Sequence, residues 1–307
     1  MKKIIIALLI LLMLALVFSG CGSKDVTDGG DEAFARIVDQ MDRELVLQKV
    51  PERIISISPA NTEIVFALGL GDRLVGVTDY CSYPSQASEK TSIGGFSDPN
   101  LEKIVALEPN LILADSFHKE VVLKLDEMGI PVLVLNSQSL QEIYEAIELV
   151  AIATGVEAEF EILVSDMKGR ISAVEERLAS IEDDKKVRVY FEVYSDPMMS
   201  AGNQAVINEI ISIAGGLNIF ADIDSTYPVV SAEAVVKRDP QVILFPNYHG
   251  TEEFIAGLLQ DRPGWGKISA VENERVHGVE DDVFSRPSPR FVDAVEAAAK
   301  LFYPERF

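Results

Sequence analysis

Between 156 and 183 the chain carries an apolar stripe that leaves little choice of shape. Phe160, Leu163, Met167, Ile171, Val174, Leu178 and Ile181 recur at steps of three or four, with Val164 beside Leu163, the spacing of one helical face. The segment holds a single glycine, Gly169, and no proline. The stripe crosses Gly169 without a change of phase, which favours one helix over a helix-turn-helix broken there. A helix of roughly 27 residues would be about 40 Å long, enough to run along the side of two stacked lobes.

On each side of this stripe, strand patterns alternate with helix patterns, which predicts mostly parallel sheet covered on both faces. On the N-terminal side, ARIVDQMDRELVLQKVPERIISISP predicts a small hairpin and then a strand over 53–58. Asn61 or Thr62 can cap the next helix, with Glu63 supporting its first turn. RLVGVT, LILA and PVLVL read as strands, while HKEVVLKLDEMG and SLQEIYEAIELVAIATG read as amphipathic helices. On the C-terminal side the order repeats: strand VRVYFEVY, helix NQAVINEIISIAGG, strand QVILFP and closing helix FVDAVEAAAKLF.

One short segment occurs once in each half. LEKIVALEPNLIL begins at Leu101 and AEAVVKRDPQVIL at Ala232. Both place Glu second, an acid eighth and Pro ninth, which predicts a helix, a stop and a buried strand. Glu102 and Glu233 fall near the two helix starts. They could simply complement the helix dipoles, worth about 0.3–1 kcal/mol each. They could instead be matched contacts from two equivalent lobes to a roughly two-fold partner.

The N-terminus reads as an export signal over 1–20. Lys2 and Lys3 precede the apolar run IIIALLILLMLALVF, and small residues follow. The run is 15 residues long, short of the roughly 20 a spanning helix needs. Cys21 directly after Ser19-Gly20 resembles a bacterial lipobox, with Phe18 where Leu is usual. Cleavage and lipidation at Cys21 would tether the chain to a membrane; an uncleaved anchor helix is the alternative. Residues 21–35, small, polar and acidic at the start, read as a flexible tether.

The chain has a formal charge of −22, which argues against nucleic acid as a partner. It has two cysteines. With Cys21 lipidated, Cys81 stands alone, without an internal disulfide or a cysteine metal cluster, and reads as a small apolar residue rather than a nucleophile. His118, His249 and His277 show no metal-ligand spacing and read as surface or loop residues. No GxSxG elbow, phosphate loop or Cys/His pair occurs, so no catalytic residues and no enzyme activity are expected.

Together the lipobox, ERIISISPANTEIVFALGLGDRLVGVTDYCSYP, NLEKIVALEPNLIL, GNQAVINEIISIAGGLNIF and RPSPRFVDAVE resemble the periplasmic substrate-binding proteins of ABC importers for cobalamin, iron-siderophores and haem. The resemblance runs from about 34 to 307 and is strongest to the cobalamin proteins, in SPANTE, the Tyr-x-x-Tyr-Pro loop and NLEKIVAL. It implies an α/β fold of two Rossmann-like lobes, 36–155 and 184–307, joined by one long α-helix over 156–183. It also implies a stiff hinge with small closure. The expected function is binding cobalamin or a related corrinoid in the interlobe cleft, with an iron-siderophore or haem as alternative.

By the same resemblance the cleft residues are Tyr80, Phe96, Tyr227, Asp282 and Arg286. Phe96, Tyr227 and Asp115 stand where the cobalamin proteins have Trp, and Trp265 belongs to a different motif, PGWGKI. For haem, Tyr80, Tyr194, Met198, Met199 and His249 could supply iron ligands, with nothing selecting a pair. Glu102 and Glu233 are expected to form salt bridges with an ABC permease dimer that carries its ATPase subunits. Glu63 and Glu209 read as fold elements. The expected form is an extracytoplasmic, membrane-anchored monomeric lipoprotein without cofactor or resident metal.

Overall fold

The computed structural model describes residues 33–247 and 262–307, together with 255, 257 and 259. The export segment, Cys21 and His249 lie outside the described residues. β1 (Ala35–Val38) and β2 (Glu44–Leu47) form an antiparallel hairpin. Ala35 is buried in it, so the tether expected through 35 gives way to packed strand.

The first sheet contains β3 (Ile54–Ser56), β4 (Leu74–Val77), β5 (Thr91–Ser92), β6 (Leu111–Asp115) and β7 (Val132–Leu135), in spatial order β5-β4-β3-β6-β7 with every pair parallel. Its central strands are apolar on both faces because helices cover both sides; β3 and β7 are buried throughout. The second sheet contains β8 (Val187–Ser195), β9 (Met198–Ser200), β10 (Gly216–Asn218), β11 (Val242–Pro246) and β12 (Val276–Val279). Its parallel path is β10-β8-β11-β12, with β9 folded back antiparallel on β8. The orders 4-3-6-7 and 10-8-11-12 are the same topology, so the two halves are equivalent folds.

The connecting helix is Glu157–Leu178, 22 residues, or about 33 Å. Gly169 lies inside it, at an exposed position where a side chain would meet nothing. Val164, Met167, Ile171, Val174 and Leu178 form its buried face. The helix stops short of the expected 183 because the next residues include Glu182, Asp183 and Asp184, and negative charge opposes a helix C-terminus. Ile181 instead turns back, its N–H bonding the Leu178 carbonyl at 2.9 Å.

The repeated segment folds alike in both halves, down to its side-chain bonds. Asn100 and Ser231 cap the helices Leu101–Ala106 and Ala232–Arg238 by accepting from the backbone N–H three residues on. Each helix then ends on an acid with positive φ, Glu108 at 45° and Asp239 at 41°, just before the proline. This departs from the extended backbone usual before proline. An arginine supports each turn: Arg53 Nε donates to the Leu107 carbonyl at 3.0 Å, and Arg188 Nε to the Asp239 carbonyl at 2.9 Å. A second repeat is EIVFALG at Glu63 and EIISIAG at Glu209, each closing on a left-handed glycine, Gly69 or Gly215.

Candidate functional site

In parallel α/β sheets, ligand crevices form outside the carboxyl ends of the strands. Here the residues after β3, β4 and β5, and the end of β6, open on one cavity of about 590 Å³. Tyr80 follows β4, Phe96 follows β5, Asp115 closes β6, and Phe117 comes two residues later. The second half contributes Tyr227 and the turn Ser285-Arg286-Pro287. Of the expected cleft residues, Tyr80, Phe96, Tyr227 and Arg286 therefore share one cavity wall. Asp282 stands behind it, paired with Arg286 and accepting from the Ser82 hydroxyl at 3.3 Å.

The wall is aromatic and open. Tyr80 is 62 % exposed and Phe117 61 %, unusual for side chains that gain from burial. Phe96 stacks on Phe117 with centroids 5.3 Å apart and planes 18° from parallel. His118 packs edge-on against Phe96, with centroids at 4.7 Å. Its Nδ1 accepts the Asp115 backbone N–H at 3.2 Å, so Nε2 carries the proton and donates to the Phe96 carbonyl at 2.7 Å. His118 was expected at the surface or in a loop; it is buried, because a neutral imidazole with both nitrogens bonded can leave water. Burial, then the charge of Asp281, pushes the Tyr227 phenol up, keeping it neutral.

Asp115 turns its carboxylate to the Phe117 N–H at 2.9 Å and caps the short turn that carries Phe117. Sequence reasoning did not single out Phe117. Its signal was an aromatic two residues past the end of a buried strand, at the sheet's carboxyl edge.

Glu63 also differs from expectation. The helix Pro59–Ala67 begins after Ser58, not at Asn61 or Thr62, and the Asn61 amide instead donates to the Ala114 carbonyl at 2.9 Å. Glu63 does not serve the helix end. It is 3 % exposed and accepts from Arg290 Nε at 2.9 Å and Nη2 at 2.6 Å, the Ser288 hydroxyl at 2.6 Å and Arg286 Nη1 at 3.0 Å. Burial alone would lower the Arg290 pKa, but the bonds and charge of Glu63, with Glu280, raise it above its ordinary value. Glu209, its counterpart in the repeat, accepts the Leu140 backbone N–H at 2.7 Å. Each glutamate thus reaches from its own half of the chain to the other.

Among the iron-ligand candidates that are described, Tyr80 lines the cavity. Tyr194 is half-exposed at the end of β8, and Met198 and Met199 lie in β9. His277 is on β12. Among the described residues no cluster of three or more His, Cys, Asp or Glu could hold a metal ion. Cys81 is buried, its sulfur 3.2 Å from the hydroxyls of both Thr62 and Thr78. Glu102 and Glu233 are exposed, each the second residue of its helix. Hydrogen bonds from its own backbone N–H and from Ser231 hold the Glu233 carboxyl below its ordinary value.

The chain matches the model of a family described as periplasmic binding protein over residues 54–283. An uncharacterized ABC transporter substrate-binding lipoprotein of Bacillus subtilis is 33% identical, with 97% of this chain and 96% of the relative covered. The crystal structure of the periplasmic vitamin B12 binding protein of Vibrio cholerae superposes with a TM-score of 0.72 at 32% identity, covering 83% of this chain and 97% of that one. A possible iron-binding, periplasmic solute-binding protein of Staphylococcus epidermidis gives 0.75 at 28% identity, covering 83% and 100%.

Proposed function

The chain belongs to the periplasmic binding protein family, made of substrate-binding proteins of transporters, and we propose that it binds cobalamin or a related corrinoid in the interlobe cleft and delivers it to an ABC permease dimer with its ATPase subunits. The observation that carries this reading is the open aromatic wall of Tyr80, Phe96, Phe117 and Tyr227 around a guanidinium already neutralised by acids. A corrinoid offers large apolar edges to such a wall, and its amide rim accepts from Arg286 without demanding net positive charge. Among the described lining residues the cavity holds no basic side chain besides Arg286, and Asp115 adds a negative charge. A polyanionic iron chelate fits that balance poorly. Haem is the second reading, favoured by the exposed Tyr80 phenol at the cavity.

The equivalence of the two repeated helices supports Glu102 and Glu233 as the matched permease contacts. Cys21 is proposed as the lipid anchor on the extracytoplasmic face. Calorimetry of the apo-protein against cyanocobalamin, haemin and ferric siderophores tests the ligand. Cyanocobalamin should bind; failure of all three, with hydrolase turnover in their place, would overturn the reading. The double variant Glu102→Ala with Glu233→Ala should impair uptake in cells and leave ligand affinity intact.

A further inference from the structure

Arg286 is the point where the cleft meets the seam between the two halves. Its Nη1 donates to Glu63, its Nη2 donates to the Tyr80 carbonyl at 3.1 Å, and it pairs with Asp282. Glu63 is the innermost of these acids, with a side chain 2 % exposed against 34 % for Asp282. The same carboxylate holds Arg290 through two bonds. Arg290 also reaches Glu280 at 3.3 Å, but that acid is 66 % exposed and its charge is largely screened by water, so the inner cluster is Arg286 and Arg290 against Glu63 and Asp282, two charges of each sign. Glu63 both orients the guanidinium over the cavity and cancels its field there.

We infer that Glu63, which touches no ligand, is a positioning and specificity-determining residue that makes the cleft select neutral over anionic ligands. This rests on the reading of the cleft as the ligand site. With Glu63 present, Arg286 offers directed N–H donors without surplus positive charge. With Gln in its place the cluster carries one more positive than negative charge in its buried part, offset only by the exposed Glu280, and Arg286 loses one of the bonds that aim it. A buried charge left without its partner acts strongly on whatever ligand charge comes near. The two effects run in opposite directions for neutral and anionic ligands, which a merely structural role would not produce.

The test is calorimetry on full-length protein, wild type and Glu63→Gln, with three probes: neutral cyanocobalamin, haemin with its two propionates, and a ferric tris-catecholate. We expect Glu63→Gln to weaken cyanocobalamin about tenfold and to strengthen the two anions by a similar factor, the gain fading as salt is raised. Glu63→Asp, which keeps the charge, should stay close to wild type in its preference. If Glu63→Gln does not fold by circular dichroism, Glu63→Gln with Arg290→Met retires the buried pair together and leaves Arg286 without its inner acid. That variant keeps the cluster balanced, Arg286 against Asp282, so it should weaken cyanocobalamin through the lost aiming bond with little gain for the two anions. Loss of affinity for all probes alike, or no change in their ratio, overturns the inference while the cleft reading stands. Wild-type protein that binds none of the probes overturns both.

Discussion

The two pairs of glutamates related by the internal repeat have fared differently. Glu102 and Glu233 keep the same setting: second position of a capped helix, exposed, ahead of the same left-handed turn and proline. Glu63 and Glu209 share a position on the first helix of each half but have diverged in surroundings. Glu63 meets two arginines and a serine; Glu209 meets one backbone N–H and the repulsion of Glu142. A repeat passes on the backbone, and the facing residues decide what a carboxylate does there. Where the carboxylate faces water, as at Glu102 and Glu233, the setting stays symmetric. At the seam each lobe faces the other, and two lobes can meet with unlike surfaces.

The largest effect should come from breaking the stronger side of the seam. Glu63→Ala leaves Arg290, whose side chain is 8 % exposed, without its main partner. Removing one member of a buried pair costs about 3–5 kcal/mol, to be read from urea denaturation. Glu44→Ala, which breaks the exposed pair with Arg36 (68 % exposed on both sides), should cost under about 0.5 kcal/mol. A loss at Glu63 no larger than that at Glu44 would dissolve the contrast.

The cleft comes next. Phe117→Ala should weaken corrinoid binding by about 1–2 kcal/mol through lost stacking and apolar contact. Stability should move by no more than about 0.5 kcal/mol, because the ring is already largely in water. Tyr227→Ala makes the matching test from the second half, and similar losses on both sides would mean that both lobes grip the ligand.

Much of this architecture was legible from spacing. The 22-residue connecting helix, the alternation of elements and the doubled segment rest on periodicity and on proline, which act locally. What escaped was set at a distance. Glu63 finds Arg290 across 227 residues, and nothing near SPANTE announces that partner. His118 is buried by two backbone groups that only the fold brings to it. Phe117 was missed because periodicity marks rings that go inside, and this ring stays out. The short β9, β10 and β12 were too brief to carry a period.

The doubled turn allows a finer test of symmetry. Glu108 and Asp239 share the left-handed conformation, which glycine adopts without cost. Glu108 is exposed, so Glu108→Gly should stabilise by about 0.5–1 kcal/mol. Asp239 accepts the Ser269 N–H and hydroxyl, both at 2.8 Å, and these bonds with Arg188 hold its carboxyl below the ordinary value. Asp239→Gly should therefore destabilise, and the difference should narrow in acid: a depressed pKa contributes stability above the unfolded value of 3.8 that is lost as pH falls through the folded one.

The last effect comes from the weaker side of the seam and, like that of Glu108→Gly, is a gain. Burial pushes Glu209 above its ordinary value of 4.5, the Leu140 N–H pulls it back, and Glu142 adds to the rise. The neighbouring Tyr144 phenol is also raised, by burial and then by Glu209 and Glu175, while Lys168 sits over its ring at 5.2 Å. A raised carboxyl binds its proton more readily when folded. Its stabilising share is complete below pH 4.5 and is lost as pH rises through the folded pKa. At neutral pH the ionised Glu209 is therefore a small liability. A glutamine there can still accept the Leu140 N–H and carries no charge against Glu142. Glu209→Gln should match or exceed wild type at pH 7 by up to about 1 kcal/mol, the advantage shrinking as pH falls toward 4.5. A clear loss at pH 7 would mean that Glu209 has an attractive partner like that of Glu63, and that the seam is more symmetric than its bonds indicate.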